Sequence, residues 1–294
     1  MPIPSPSVTP LHMAKTKADT YGQNHIIESP IIISDALSLF EKELEKLSRK
    51  ERAGIHEAEK KCPVITRSED HRLMFLRCDL FNAKLAAKRF AKYWNKRIEL
   101  FGEKAFEPFM LEGSMGNDID ALLNGFVRLL PGKDESGRAL IWVDASYLDS
   151  TKYTRESMIR ALTYIEHAAL EDETVQKKGV IFINYNGNNP KFSQFDKTLI
   201  SMWADSMKGC MPVRVSAIYI LQIPTLFSTL ANLFKHLLGR RLSKRLLLLP
   251  GTNEKIVMSL SKRGIKRESL PIEIGGEVVL DQKKWIEERV QAGK

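Results

Sequence analysis

A chain of 294 residues with 43% hydrophobic and 28% charged side chains can bury a sizeable core and is neither disordered nor fibrous in composition. No apolar run reaches the roughly 18 to 20 residues that span a bilayer, and the opening "MPIPSPSVTPLHMAKTKADTYG" lacks the apolar block of a secretory signal. The three scattered cysteines, Cys62, Cys78 and Cys210, fit neither a disulfide framework nor a zinc site, which points to a reducing, cytoplasmic setting.

The Pro-, Ser- and Thr-rich start predicts a flexible tail over residues 1–30. Helical spacing of apolar residues follows in 34–61, with Ser34 and Asp35 as capping candidates, and again in 71–102, interrupted near Asp79–Asn82. These pieces predict an N-terminal helical segment over 31–110. From residue 111 the pattern turns to strands alternating with helices. "FVRLL" (126–130) and "ALIWVDA" (139–145) flank a turn, and "GVIFIN" (179–184), "VRVSAIYIL" (213–221) and "RLLLLP" (245–250) are further strands. Helical stretches at 153–173, 193–210 and 253–263 lie between or after them. Such alternation predicts an α/β fold with a mainly parallel sheet over 111–280, followed by a C-terminal helix or tail over 281–294.

Signals of catalysis are poor. The six histidines lie apart without metal-ligand spacing, and neither a nucleophile elbow nor a phosphate-binding glycine loop is present. His167 reads as a packing or surface histidine on its helix, and Asp144 as a structural acid at a strand end. The chain is expected not to be an enzyme and to hold no metal.

The net charge of +9 is confined to one window. Ten Lys or Arg lie between Lys235 and Arg267 against the single acid Glu254, so the rest of the chain sums to zero. A local cationic patch implies an anionic partner on one face. It adjoins the oiliest helix, where Thr225 is a candidate N-cap and Leu226, Phe227, Leu230, Leu233, Phe234, Leu237 and Leu238 recur at helical spacing. Such a helix either buries this face on its own sheet or closes an apolar cavity and meets a membrane. Lys235, Arg240, Arg241, Lys244 and Arg245 cluster at its C-terminal end, where the helix dipole favours cations. Beside an anionic bilayer each contributes roughly 1 kcal/mol.

Together, "DESGRALIWVDASYLDSTKYTRESMIRALTYIEHAALED", "GVIFINYNG" and "MPVRVSAIYILQIPTLFSTLANLFKHLLGRRLSKRLLLLPG" resemble the CRAL-TRIO lipid-binding domain, in order and spacing. "LPIEIGGE" (270–277) matches the motif that closes that domain. "HRLMFLRCDLFNAKLAAKRFAKYW" is similar to the helical segment that precedes it. The resemblance implies a pocket for one lipid-like molecule beneath a mobile gate helix at about 225–238, and no cofactor beyond the bound lipid. By the same resemblance Leu226, Phe227, Leu230, Phe234 and Leu237 face the ligand, and Ile181, Ile183, Ile218 and Ile220 form the pocket floor. Arg214, Arg241 and Arg245 match basic positions that contact phosphoinositide headgroups in the tocopherol-transfer and retinaldehyde-binding members. Yeast-type phosphatidylinositol-transfer members place a Glu where this chain has Val213. The cargo is therefore open among a phospholipid and tocopherol-like or retinoid-like molecules. The implied function is exchange of that lipid at anionic, phosphoinositide-containing membranes by a cytoplasmic, peripherally associated protein. A phosphoinositide-sensing adaptor without net transfer is the alternative. Nucleic acid is not an expected partner, because no recognition motif accompanies the patch.

Overall fold

The computed structural model describes residues 13–148, 151–187, 196–222 and 228–294, without the side chains of 228–233. The N-terminal segment is built from α1 (Pro30–Glu45), α2 (Ala53–Lys61), α3 (Pro63–Arg67), α4 (Glu69–Cys78) and α5 (Ala83–Phe101). Helix α1 starts earlier than Ser34–Asp35, because the Ser29 side chain accepts from the Ile32 N–H and Pro30 fits the first turn. The break between α4 and α5 is a backbone reversal in which Leu80 and Phe81 take positive φ (54° and 60°). Asn82 then caps α5 by accepting from the Leu85 N–H. Phe40, Phe75, Phe90, Tyr93 and Trp94 pack edge to face in the core, with Phe75 and Phe90 centroids 5.0 Å apart.

After α6 (Ile119–Leu123), β1 (Val127–Lys133) and β2 (Ala139–Asp144) form an antiparallel hairpin. Pro131 lacks a donor and sits on β1, an edge strand, where the register shifts between Leu129 and Lys133. β3 (Val180–Tyr185), β4 (Val215–Leu221) and β5 (Leu246–Leu249) add in parallel, giving the order β1-β2-β3-β4-β5. Parallel neighbours require return crossings. α7 (Arg155–Leu170) with α8 (Glu173–Lys178), α9 (Lys197–Met207) and α10 (Ser228–Leu242) provide them, and α11 (Asn253–Ser261) and α12 (Gln282–Gln291) follow. Asp144 is structural, accepting from the N–H and Oγ of Ser146 at 2.9 and 2.5 Å.

The strands' period of two divides the core. On one face Ile141, Val180, Phe182, Ile218, Ile220 and Leu246 join a cluster that runs through α7, α9 and α10 into the N-terminal helices, so the core is continuous across residue 110. On the other face Leu140, Trp142, Ile181, Ile183, Ala217 and Tyr219 pack with Ile256 and Leu260 of α11.

Residues 13–28, expected as part of a flexible tail, are instead a strap packed on the sheet. Lys15 and Ile26 bridge each other antiparallel, Ile26 is buried, and the Thr16 N–H donates to the His25 carbonyl at 3.0 Å. The strap crosses the N-terminal ends of the parallel strands. Gln23 Nε2 donates to the carbonyl of Val215, the first residue of β4, at 3.1 Å. Arg138, which immediately precedes β2, pairs with Asp19 of the strap. The sequence hides this because the strap's ties are polar and link residues nearly two hundred positions apart.

Candidate functional site

Because β4 and β5 are parallel, α10 must carry the chain back from the C-terminal edge of the sheet to its N-terminal edge. It therefore delivers its own C-terminal end to the place where the strap crosses. Among its described side chains Leu238 and Leu242 are buried and Phe234 is half-buried, all packed on the face that holds Ile218 and Ile220. Leu237 is half-buried. Gly239 then breaks the helix with φ 71° and ψ 173°, a conformation that an L side chain resists. The turn that follows splays Arg240 and Arg241 outward, and Ser243–Arg245 form a short 3-10 turn into β5.

This turn closes a groove of about 930 Å³ lined by Arg214, Arg240, Arg241, Lys244 and Arg245, by Lys208 and Gly209 after α9, and by Gly22, Gln23 and Asn24 of the strap. No Asp or Glu lines it. Two further cations at its wall are already compensated. Arg89 forms a two-pronged pair with Asp79 (2.7 and 2.8 Å), and Lys208 pairs with Asp205 at 3.0 Å. Arg240, Arg241 and Lys244 are exposed and have no side-chain hydrogen bond or ion pair among the described residues. Arg214 and Arg245 are half-buried and donate only to carbonyls. Arg214 reaches Lys177 and Asn24 at 2.5 and 2.7 Å, and Arg245 reaches Tyr21 at 2.7 Å. Burial is the main cause that lowers the Arg214 pKa, and the nearby Arg138 and Arg245 act in the same direction. Gly179, with φ 98°, lets β3 begin against Arg214, since a Cβ there would stand 2.2 Å from the Arg214 carbonyl oxygen. A cluster of guanidinium and ammonium groups without carboxylates is chemistry suited to phosphate oxygens.

The structure brings Arg214, Arg240, Arg241, Lys244 and Arg245 together in the lining of one groove. Lys235 is exposed on α10 and is not part of the groove lining. The expected pocket floor needs correction. Phe182 pairs with Ile218 in the sheet, so Ile181 and Ile183 point to the α11 face, while Ile218 and Ile220 point to the α10 face. Phe182 and Val180 are the β3 residues that share the face of α10. Leu226, Phe227 and the candidate cap Thr225 lie outside the described residues, as does the side chain of Leu230. The strap residues Gly22 to Asn24 were missed, because nothing local marks a tail segment as the wall of a distant groove.

Other sequence candidates carry no chemistry here. His167 is half-buried, with Nε2 3.0 Å from the Tyr93 hydroxyl, and its pKa is held well below the ordinary value by desolvation and then by Arg97. Among the described residues no group of three His, Cys, Asp or Glu side chains is placed to hold a metal ion, and no helix is long and apolar enough to cross a membrane.

A mostly parallel sheet with one face under α10, whose cationic end closes a groove, defines an α/β architecture of layered sheet and helices. Residues 123–276 match the CRAL/TRIO domain model, more than half of the chain, and the chain belongs to that family of lipid-binding and lipid-transfer domains. It is similar to clavesin-1 of Xenopus laevis (26% identity, 69% of this chain, 59% of that protein) and to human clavesin-2 (28% identity, 69% and 60%). The match thus spans about three fifths of these relatives' own length. The crystal structure of Sfh5 superposes with a TM-score of 0.53 at 12% identity, covering 87% of this chain and 98% of that one, a likeness of fold.

Proposed function

We propose that this protein holds a single hydrophobic, lipid-like molecule between α10 and the sheet face of Phe182, Ile218 and Ile220, and exchanges it at anionic, phosphoinositide-containing membranes. The observation that carries this reading is the meeting of two features at one helix. The apolar side of α10 lies on the sheet, and its C-terminal end presents Arg240, Arg241 and Lys244, exposed and without partners among the described residues. Each methylene of a buried acyl or prenyl chain adds about 0.8 kcal/mol, enough to retain a cargo in water. Headgroup binding beside the end of the same helix offers a way to couple docking to opening. In this reading the protein works as a peripheral protein at cytoplasmic membrane faces, without catalysis and without a cofactor besides its cargo. The three free, buried cysteines are compatible with a reducing compartment.

The decisive experiment is native mass spectrometry of the purified chain after incubation with a mixed lipid extract. One lipid per chain is expected, and Phe234→Asp should lose it; the absence of stoichiometric lipid from the unmodified chain would refute the reading. A transfer assay between donor and acceptor vesicles separates exchange from an adaptor role. An adaptor binds phosphoinositide vesicles and moves no lipid between them.

A further inference from the structure

One wall of the cationic groove is the strap, and the strap engages two of the groove's arginines through neutral acceptors. Arg214 Nη2 donates to the Asn24 carbonyl and Arg245 Nη1 to the Tyr21 carbonyl, each at 2.7 Å. Guanidinium groups bind charged phosphate oxygens more strongly than neutral carbonyls, and no strap carboxylate forms an ion pair with either arginine. Other ties hold the strap down, and none of them uses Arg214 or Arg245. Asp19 pairs with Arg138 and folds its own turn by accepting from the Tyr21 and Gln23 N–H groups at 2.8 and 3.0 Å. Gln23 bonds the Val215 carbonyl at 3.1 Å and accepts from Ser216 Oγ at 2.7 Å. The Tyr21 and Tyr219 hydroxyls meet at 2.9 Å. The far end is pinned independently, where Glu28 receives Arg77 in a two-pronged pair at 3.0 and 2.8 Å.

We propose that the segment 19–24 is a displaceable latch over the groove: a polyphosphorylated headgroup takes Arg214 and Arg245 from the Asn24 and Tyr21 carbonyls, so strap docking and headgroup binding compete. This rests on the groove being the headgroup site. Competition is reciprocal: the docked strap weakens headgroup binding by the same factor as a bound headgroup weakens strap docking, so a variant that loosens the strap tightens headgroup binding. The latch also supplies selection. A ligand with one phosphate can be held by Arg240, Arg241 and Lys244 in the open part of the groove, whereas displacing the strap requires phosphates that reach both half-buried arginines.

The test uses the full chain, a water-soluble short-chain phosphatidylinositol bisphosphate as the probe, and its monophosphate counterpart as a comparison. Inositol trisphosphate without acyl chains separates headgroup from lipid recognition. Amide hydrogen exchange across residues 19–24 is expected to speed up on binding the bisphosphate and to change little with the monophosphate. Gln23→Ala removes two ties to β4 and leaves every arginine in place; it should bind the bisphosphate three- to ten-fold more tightly. Asp19→Ala, in which Arg138 keeps its pair with Asp134, should act in the same direction. Slower exchange on binding, or unchanged or weaker affinity in both variants while the unmodified chain binds, overturns the latch and leaves the headgroup site standing. If neither the unmodified chain nor the variants bind any of these probes, the headgroup reading fails and the latch with it.

Discussion

Two groups of arginines in this protein receive opposite electrostatic treatment. Along the N-terminal helices and the lower edge of the sheet, Arg77, Arg89, Arg138 and Arg160 each meet a carboxylate, respectively Glu28, Asp79, Asp134 with Asp19, and Asp118. At the end of α10, Arg240 and Arg241 meet none, and Arg214 and Arg245 meet only carbonyls. The first group shows one way that packing compensates a buried guanidinium, with an opposite charge and hydrogen bonds in place of water; Arg97, also buried, relies instead on the Tyr93 hydroxyl, the Glu107 carbonyl and aromatic faces. The second shows charge that packing does not require. Four of the ten cations in the window that carries the net charge, Arg240, Arg241, Lys244 and Arg245, line this groove.

The sharpest way to break this contrast is to remove a partner in each region. Asp79→Ala leaves Arg89, 6% exposed, without its counter-charge, and should cost about 3–5 kcal/mol of stability, read from the midpoint of urea unfolding. A loss below 1 kcal/mol would mean that the buried pairs are not structural. Arg240→Ala combined with Arg241→Ala should leave stability within about 0.5 kcal/mol. The same pair should weaken binding to anionic vesicles by about thirty-fold, from roughly 1 kcal/mol for each residue. The vesicle effect should shrink as salt rises, because exposed charges are screened over about 8 Å at physiological ionic strength. Equal vesicle binding by this variant would remove the groove from the membrane contact. Arg245 is a poorer probe, because its bond to the Tyr21 carbonyl mixes headgroup binding with strap docking.

The parts of this arrangement legible in the sequence were those carried by local pattern. Strand periodicity located β2, β3 and β4, and charge counting located the cluster at Arg240 to Arg245. The pairing of faces was not legible: Ile181 and Ile218 both read as apolar strand residues, and only the register of β3 against β4 shows that they point apart. Nor was the strap, since its Asp, Gln and Asn side chains are the composition of a loop and acquire a role only through residues at the strand starts. The separation of Lys235 from the groove was hidden in a different way. On an amphipathic helix its spacing fits the polar side, but the reversal at Gly239 aims the later cations into the groove and leaves Lys235 behind it.

A third treatment of charge completes the comparison: a buried acid with no counter-charge. Glu166 on α7 is fully buried, with no cation beside it; Oε1 accepts from Trp203 Nε1 at 2.9 Å and Oε2 has no partner. Burial pushes its pKa up from 4.5 to about 8, with the Trp203 bond opposing, so the folded protein holds this carboxyl protonated where the unfolded chain has released the proton. The folded state then binds more protons than the unfolded state between pH 4.5 and about 8, and stability must fall as pH rises through that window, by about 1.4 kcal/mol per unit. His71 imposes the opposite slope at lower pH. Burial, aided by Arg97 and Arg72, lowers its pKa from 6.5 to about 3, so stability is lost as pH falls below 6.5. His167 and His25, also lowered mainly by burial, add to that opposite slope, which fades as pH rises past 6.5. Between pH 6.5 and 8 the glutamic acid is therefore read by comparing the unmodified chain with a variant that lacks its proton. Glu166→Gln keeps an oxygen to accept from Trp203 and has no proton to lose; across that interval the stability of the unmodified chain relative to the variant, read by urea unfolding, should fall as pH rises. The same slope in both proteins would assign the titration to another group and return Glu166 to the compensated class.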